Sequence, residues 1–175
     1  MVCSLAHPAL AQTARPANLN QVSIEDLMNI EVTSASRKAQ LAADIPSAIF
    51  VISHDDIVRS GMTTIPDVLR LAPGVDVAQI NGNKWAVSVR GFNGLYANKL
   101  LVLVDGRSVY NRIFSGVLWD AEDVMLDDVD RIEVIRGPGA ALWGANAVNG
   151  VINIVTKTTA DTQGGLVRVD AGRAG

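Results

Sequence analysis

The chain has 175 residues, with 18 acids against 15 bases and a formal charge of -3; 49% of it is hydrophobic and 19% charged. That length supports one core rather than two full domains, the composition is globular rather than disordered, and without a basic excess a nucleic-acid binder is not expected. Cys3 is the single cysteine and His7 and His54 are the two histidines, so neither a disulfide nor a zinc site is expected, and no metal or other cofactor is called for.

In chain order, residues 2–12 read "VCSLAHPALAQ", apolar and small, with Ala9-Leu10-Ala11 in the A-x-A form cut by signal peptidase. Residues 1–11 are therefore expected to be a partial signal peptide whose basic start is absent or misassigned. No apolar run reaches 18 residues, so no transmembrane helix is expected. Residues 12–44 read as a flexible segment: a polar lead-in, a short helix started by Ser23 and Asp26 with Ile24, Leu27 and Met28 on one face, then the extended "IEVTSASRK".

The compact part is expected over residues 45–157. "AIFVIS" is a nearly continuous apolar run suited to a strand covered on both faces. Ser53 and Asp56 form a capping box for the following helix, which makes the neighbouring Ser53, His54 and Asp55 a cap rather than a catalytic set. Gly61 ends that helix. "TIPDVLRLAPG" predicts a second one, with Val68, Leu69 and Leu71 inward and Pro73-Gly74 as its stop. Strands follow in "VDVAQI", "WAVSVRG", "LLVLV" and "SVY", the last two joined by Asp105-Gly106 as a type I' hairpin turn, a role that by itself accounts for Asp105. "WDAEDVMLDDVD" has six acids but not the order of a calcium loop, and reads as a solvated loop with a short helix.

"RIEVIRGPGAALWGANAVNG" alternates like a strand, Ile132 and Val134 against Arg131 and Glu133, and then enters a glycine-rich turn. Gly139 and Gly144 have the first spacing of a phosphate loop, but Ala145 and Asn146 stand where its Lys and Ser/Thr belong, so phosphate binding is not supported. "GVINIVTK" supplies the last strand of the compact part. In "GGLVRVDAG", Val167, Val169 and Ala171 alternate with Leu166, Arg168 and Asp170, the pattern of a barrel wall strand, so residues 158–175 read as a linker and the start of a first barrel strand.

The stretches "IPSAIFVISHDDIVRSG", "DVLRLAPGVDV", "VSVRGF", "LLVLVDGRSVY" and "DRIEVIRGPGAALWGANAVNGVINIVTK", with "IEVTSAS" upstream, together resemble the plug domain of TonB-dependent outer-membrane receptors of the siderophore and cobalamin type. The resemblance implies an α+β fold, a small mixed β-sheet with short helices, held inside a large C-terminal β-barrel of the same chain. It implies a receptor and transport component rather than an enzyme, placed in the cell outer membrane through the barrel with its N-terminus in the periplasm. Its partners would be TonB, the barrel, and a ferric siderophore or similar large solute, with no nucleic acid.

By the same resemblance, Ile30, Glu31, Val32, Thr33, Ser34, Ala35 and Ser36 form the TonB box, which a partner strand engages by β-augmentation; the alternative for these residues is an ordinary linker. Ligand contacts map to Asn83, Lys84 and Trp85, to Phe92, Asn93, Gly94 and Tyr96, and to Tyr110, Asn111, Arg112 and Phe114. For Trp85 and Phe114 a place in the local core stays open. Arg90 and Arg136 resemble plug arginines that pair with barrel carboxylates. A free-standing periplasmic plug-like binding module, or a truncated product that does not transport, is the alternative; a nucleotide-dependent enzyme fails on the missing Lys.

Overall fold

The computed structural model describes residues 31–32, 40–41, 48–113, 115–122, 124–139 and 143–167. The signal-peptide segment and the helix expected at Ser23 lie outside them. The main sheet has five strands in the order β3 (Ala48–Ser53), β8 (Val129–Arg136), β9 (Gly150–Thr156), β6 (Leu100–Val104) and β7 (Arg107–Ser108). β6 and β9 run parallel and the other pairs antiparallel, so the sheet is mixed. Two smaller ladders pair β1 (Glu31–Val32) with β2 (Gln40–Leu41), and β4 (Val75–Asn81) with β5 (Lys84–Val89).

Because side chains alternate along a strand, the central strands of the sheet feed two cores. Ile132 and Val134, with Ile152, Ile154 and Val102, meet the helices and the β4–β5 ladder in the larger one. Ile135, Val151, Leu101 and Leu103 pack on the opposite face with Ala147, Ile49 and Trp143. The alternation read in β8 holds, and the second core lies on the face opposite Ile132 and Val134. Glu133 points away from Ile132 and Val134 yet is fully buried. Its Oε1 accepts from Arg131 Nε at 2.9 Å, and Asn153 Nδ2 lies 3.5 Å from its Oε2. A buried carboxylate needs such partners, since an unpaired one would be expelled or neutralised.

Helix α1 (His54–Ser60) starts as the residues demand. Ser53 Oγ accepts from Asp56 N, Asp56 Oδ2 accepts from Ser53 N, and Gly61 closes the end at φ 65°. α2 (Ile65–Val68) is capped by Thr64 and tightens into a 3-10 turn, Leu69–Leu71. That tightening corrects the expected inward trio: at three residues per turn Leu69 shares a face with Ala72, both buried, and Leu71 turns outward at 37% exposure. β3 is likewise an edge strand in which only Ile52 is fully buried, rather than one covered on both faces.

The Asp105-Gly106 turn has both residues at positive φ, 49° and 76°, as a type I' turn requires. Asp105 does more than turn. Its Oδ1 accepts from Thr156 N at 2.8 Å and its Oδ2 from Thr156 Oγ1 at 2.9 Å, which ties the hairpin to the end of β9. β7 spans only Arg107–Ser108, shorter than the expected "SVY" strand. In the acid-rich segment the helix is one 3-10 turn, Leu126–Asp128. No strand forms over the described residues 164–167, and residues 168–172 of the expected barrel strand lie outside the description.

Candidate functional site

Of the loop residues singled out from the sequence, Asn83, Lys84 and Tyr96 border the tryptophan pair Trp85 and Trp119. At the tip of the β4–β5 hairpin, Asn81 Oδ1 accepts from the backbone of Asn83 and Lys84 at 3.3 and 3.0 Å, which fixes the first loop. Trp85 follows directly. It is 8% exposed, belongs to the larger core with Trp119, and has the Arg70 guanidinium 5.9 Å from its ring centroid.

The second loop begins with three successive residues at positive φ: Arg90 at 57°, Gly91 at 93° and Phe92 at 58°. Two are not glycine, so the backbone holds conformations that L-residues adopt at a cost of about 1–2 kcal/mol each. Surrounding bonds retain them, with Arg90 N donating to Gly74 O at 3.2 Å, and Asn149 Nδ2 and Asn93 Nδ2 donating to Gly91 O and Asp76 O at 3.4 Å. The result is an outward Phe92, 75% exposed, with Lys99 Nζ 5.2 Å from its ring centroid. Tyr96 is 47% exposed.

The third loop is pinched by paired backbone bonds between Asn111 and Gly116, and Asn111 Oδ1 accepts from Ile113 N at 2.9 Å. A side chain at Gly116 would stand 3.0 Å from Tyr96 Cα, so the second and third loops touch there. The tip presents Arg112 and Ile113; Tyr110 is half-buried, and Phe114 lies outside the described residues.

Two clefts flank the tryptophan pair. One of about 180 Å³ is walled by Lys84, Trp85, Tyr96, Leu118, Trp119 and Asp120. The other, of about 390 Å³, runs from Asn83 and Trp85 to Thr63, Thr64, Trp119 and Glu122. Burial pushes the Glu122 carboxyl above its ordinary value, opposed by the positive charge of Arg107. The structure thus joins Asn83, Lys84, Trp85 and Tyr96 at one surface, while Phe92, Asn93 and Arg112 do not line either cleft, and Gly94 borders a narrow gap above Val87. Trp119, Leu118 and Asp120 were not among the expected contacts. The available signal was a tryptophan at the head of an acidic stretch.

Arg90 and Arg136 converge on the turns at Gly74 and Gly137. Arg136 Nη1 donates to Pro73 O at 3.2 Å, while its Nε is buried with no hydrogen-bond partner. Arg90 Nη1 is 3.8 Å from where a Cβ on Gly137 would stand. The glycine-rich turn spends its amides internally: Gly137 N donates to Asn149 O, Gly139 N to Ala147 O, Trp143 N to Gly139 O and Ala147 N to Gly144 O. None of these four is left for a phosphate. Among the described residues no three His, Cys, Asp or Glu side chains are grouped to hold a metal ion, and no helix is long and apolar enough to cross a membrane. Of the residues expected to form a TonB box only Glu31 and Val32 are described, and they pair with Leu41 and Gln40.

A small mixed sheet with short helices, and a glycine-rich turn whose amides are spent internally, suits a receptor plug rather than a nucleotide enzyme. The family model of the TonB-dependent receptor plug domain matches residues 41–151, and the chain belongs to that family. The vitamin B12 transporter BtuB of Vibrio vulnificus (strain CMCP6) is 33% identical over 171 residues, 97% of this chain and 27% of that protein. The chain therefore spans about a quarter of the length of the relatives it matches. Among solved structures, the ferric yersiniabactin uptake receptor FyuA of Yersinia pestis is 28% identical with a TM-score of 0.52, covering 64% of this chain and 17% of that one. A ferripyoverdine receptor of Pseudomonas aeruginosa, 24% identical with a TM-score of 0.60 over 74% of this chain and 16% of its own, shares the fold.

Proposed function

We propose that this plug gates energised uptake of a large, scarce solute, such as a ferric siderophore, through an outer-membrane β-barrel of the same receptor. The observation that carries this is the pair Arg90 and Arg136, gathered at one edge, the second with a buried Nε that has no acceptor. A buried guanidinium nitrogen left unpaired is costly, and a barrel carboxylate would supply its partner. The relatives' names, a vitamin B12 transporter and a ferric yersiniabactin uptake receptor, support cargo of this size class.

On this reading the cargo rests on the surface around Trp85, Tyr96 and Trp119, with Asn83, Lys84, Phe92, Asn93, Gly94, Tyr110, Asn111, Arg112 and Phe114 supplying the surrounding loops. Tyr96, 47% exposed, offers aromatic contact area there at low entropy cost, over a floor in which Trp85 and Trp119 are buried. Residues 30–36 act as the TonB box on the periplasmic side. TonB recruits the box as an added strand, so main-chain hydrogen bonds matter more than side chains. The test is Ala35→Pro in the receptor: energised uptake is lost while ligand binding is kept. Normal uptake by that variant would remove the box assignment.

A further inference from the structure

The end of β9 is held by a histidine and a lysine 103 residues apart in the chain. His54 opens α1, and its Nδ1 lies 2.8 Å from the carbonyl oxygen of Val129. A carbonyl only accepts, so Nδ1 carries the ring proton and Nε2 keeps a lone pair. Lys157 Nζ stands 3.0 Å from that Nε2 and donates to Asp127 O at 2.8 Å, while Lys157 N donates to Asp128 O at 2.8 Å. One lysine, the first residue beyond β9, thereby joins the start of α1 and the 3-10 turn before β8.

We propose that His54 and Lys157 form a proton-sensitive clasp: with a neutral imidazole it fixes the end of β9, and protonation of the ring opens it. An imidazolium has donors at both nitrogens and nothing to offer the ammonium, and two positive charges at contact distance repel. Histidine is the side chain whose charge changes between about pH 5 and 8. Charged groups on the elements packed around the ring are Asp55 and Asp56 on α1, Asp127 and Asp128 on the 3-10 turn, Asp130 and Arg131 on β8, and Lys157. Asp56 is engaged by the Ser53 cap and Asp130 by Arg131 at 2.7 Å. Nε2 can accept from Lys157 only while it carries no proton, so the lysine contact and a second ring proton exclude one another. Beyond Lys157 the described chain is exposed and forms no strand, so the clasp sets how firmly the outgoing segment is anchored.

The test uses the full 175-residue chain. Ring nitrogen chemical shifts at about pH 7.5 are expected to show His54 protonated at Nδ1 and bare at Nε2, with His54→Gln assigning the signal apart from His7. Exchange protection of the Lys157 amide, corrected for intrinsic rates, is expected to fall about tenfold between about pH 7.5 and about pH 5.5 in the native chain. In His54→Gln, whose carboxamide oxygen accepts without titrating, and separately in Lys157→Met, the fall is expected to shrink to less than about twofold. An Nε2-protonated ring, or the same pH response in the native chain and in Lys157→Met, would overturn the clasp.

Discussion

Gly150 begins β9 at the point where the sheet is most crowded, and a single methyl there tests the packing described above. A Cβ at that position would stand 2.6 Å from Ile135 O and 3.3 Å from both Cβ and Cγ1 of Val89. Neither neighbour yields easily, because Ile135 is paired in the β8–β9 ladder and Val89 is fully buried. Overpacking of this kind costs about 1–3 kcal/mol. Gly150 has no positive φ, so alanine would also lower unfolded-chain entropy, a gain of about 0.4–1 kcal/mol. The clash wins, and Gly150→Ala is expected to lose about 1–2 kcal/mol, or roughly 2–8 °C in Tm. Gly82→Ala is the control, since nothing lies within 4 Å of its Cβ and its φ is not positive. Urea unfolding of both variants at one pH provides the comparison. A Gly150→Ala midpoint equal to or above that of Gly82→Ala would refute the reasoning.

Asp105→Asn should keep the turn but weaken the tie to Thr156, and Asp105→Ala should lose both bonds and the tolerance for positive φ, about 1–3 kcal/mol in total; equal stability of the two variants in urea would contradict that order. Glu122 gives a pH signature. Its carboxyl is raised chiefly by burial, so the folded state binds its proton more tightly than the unfolded chain does, and its contribution to stability declines as pH rises from the ordinary glutamate value of about 4.3 through the folded one. Glu122→Gln should therefore gain on the native chain as pH climbs through that window, read as the difference between two urea midpoints; a gap that narrows would reverse the assignment.

Much of the fold was legible because local chemistry and tertiary position agreed. The Ser53/Asp56 box, the Gly61 stop and the Asp105-Gly106 turn are each set by two or three neighbouring residues, and each forms as expected. The misses concern what lies across the sheet. Alternation put Glu133 opposite Ile132 and Val134 but could not show whether that face is covered; Glu133 is fully buried there, with Arg131 and Asn153 beside its carboxylate. Leu71 was misplaced by assuming an α-helical period where Leu69–Leu71 is 3-10. Trp119 escaped notice in the site because the acids around it suggested a solvated loop, whereas its ring packs into the core beside Trp85. The His54–Lys157 contact had no local signal at all, being made across 103 residues.

We place this plug within a larger outer-membrane receptor. That placement is tested most directly by the size and location of the native product, detected with an antibody raised against residues 45–157. A band in the outer-membrane fraction several times larger than this chain is expected, in keeping with the 27% of the vitamin B12 transporter that the chain matches. A soluble periplasmic band near the chain's own mass would contradict it.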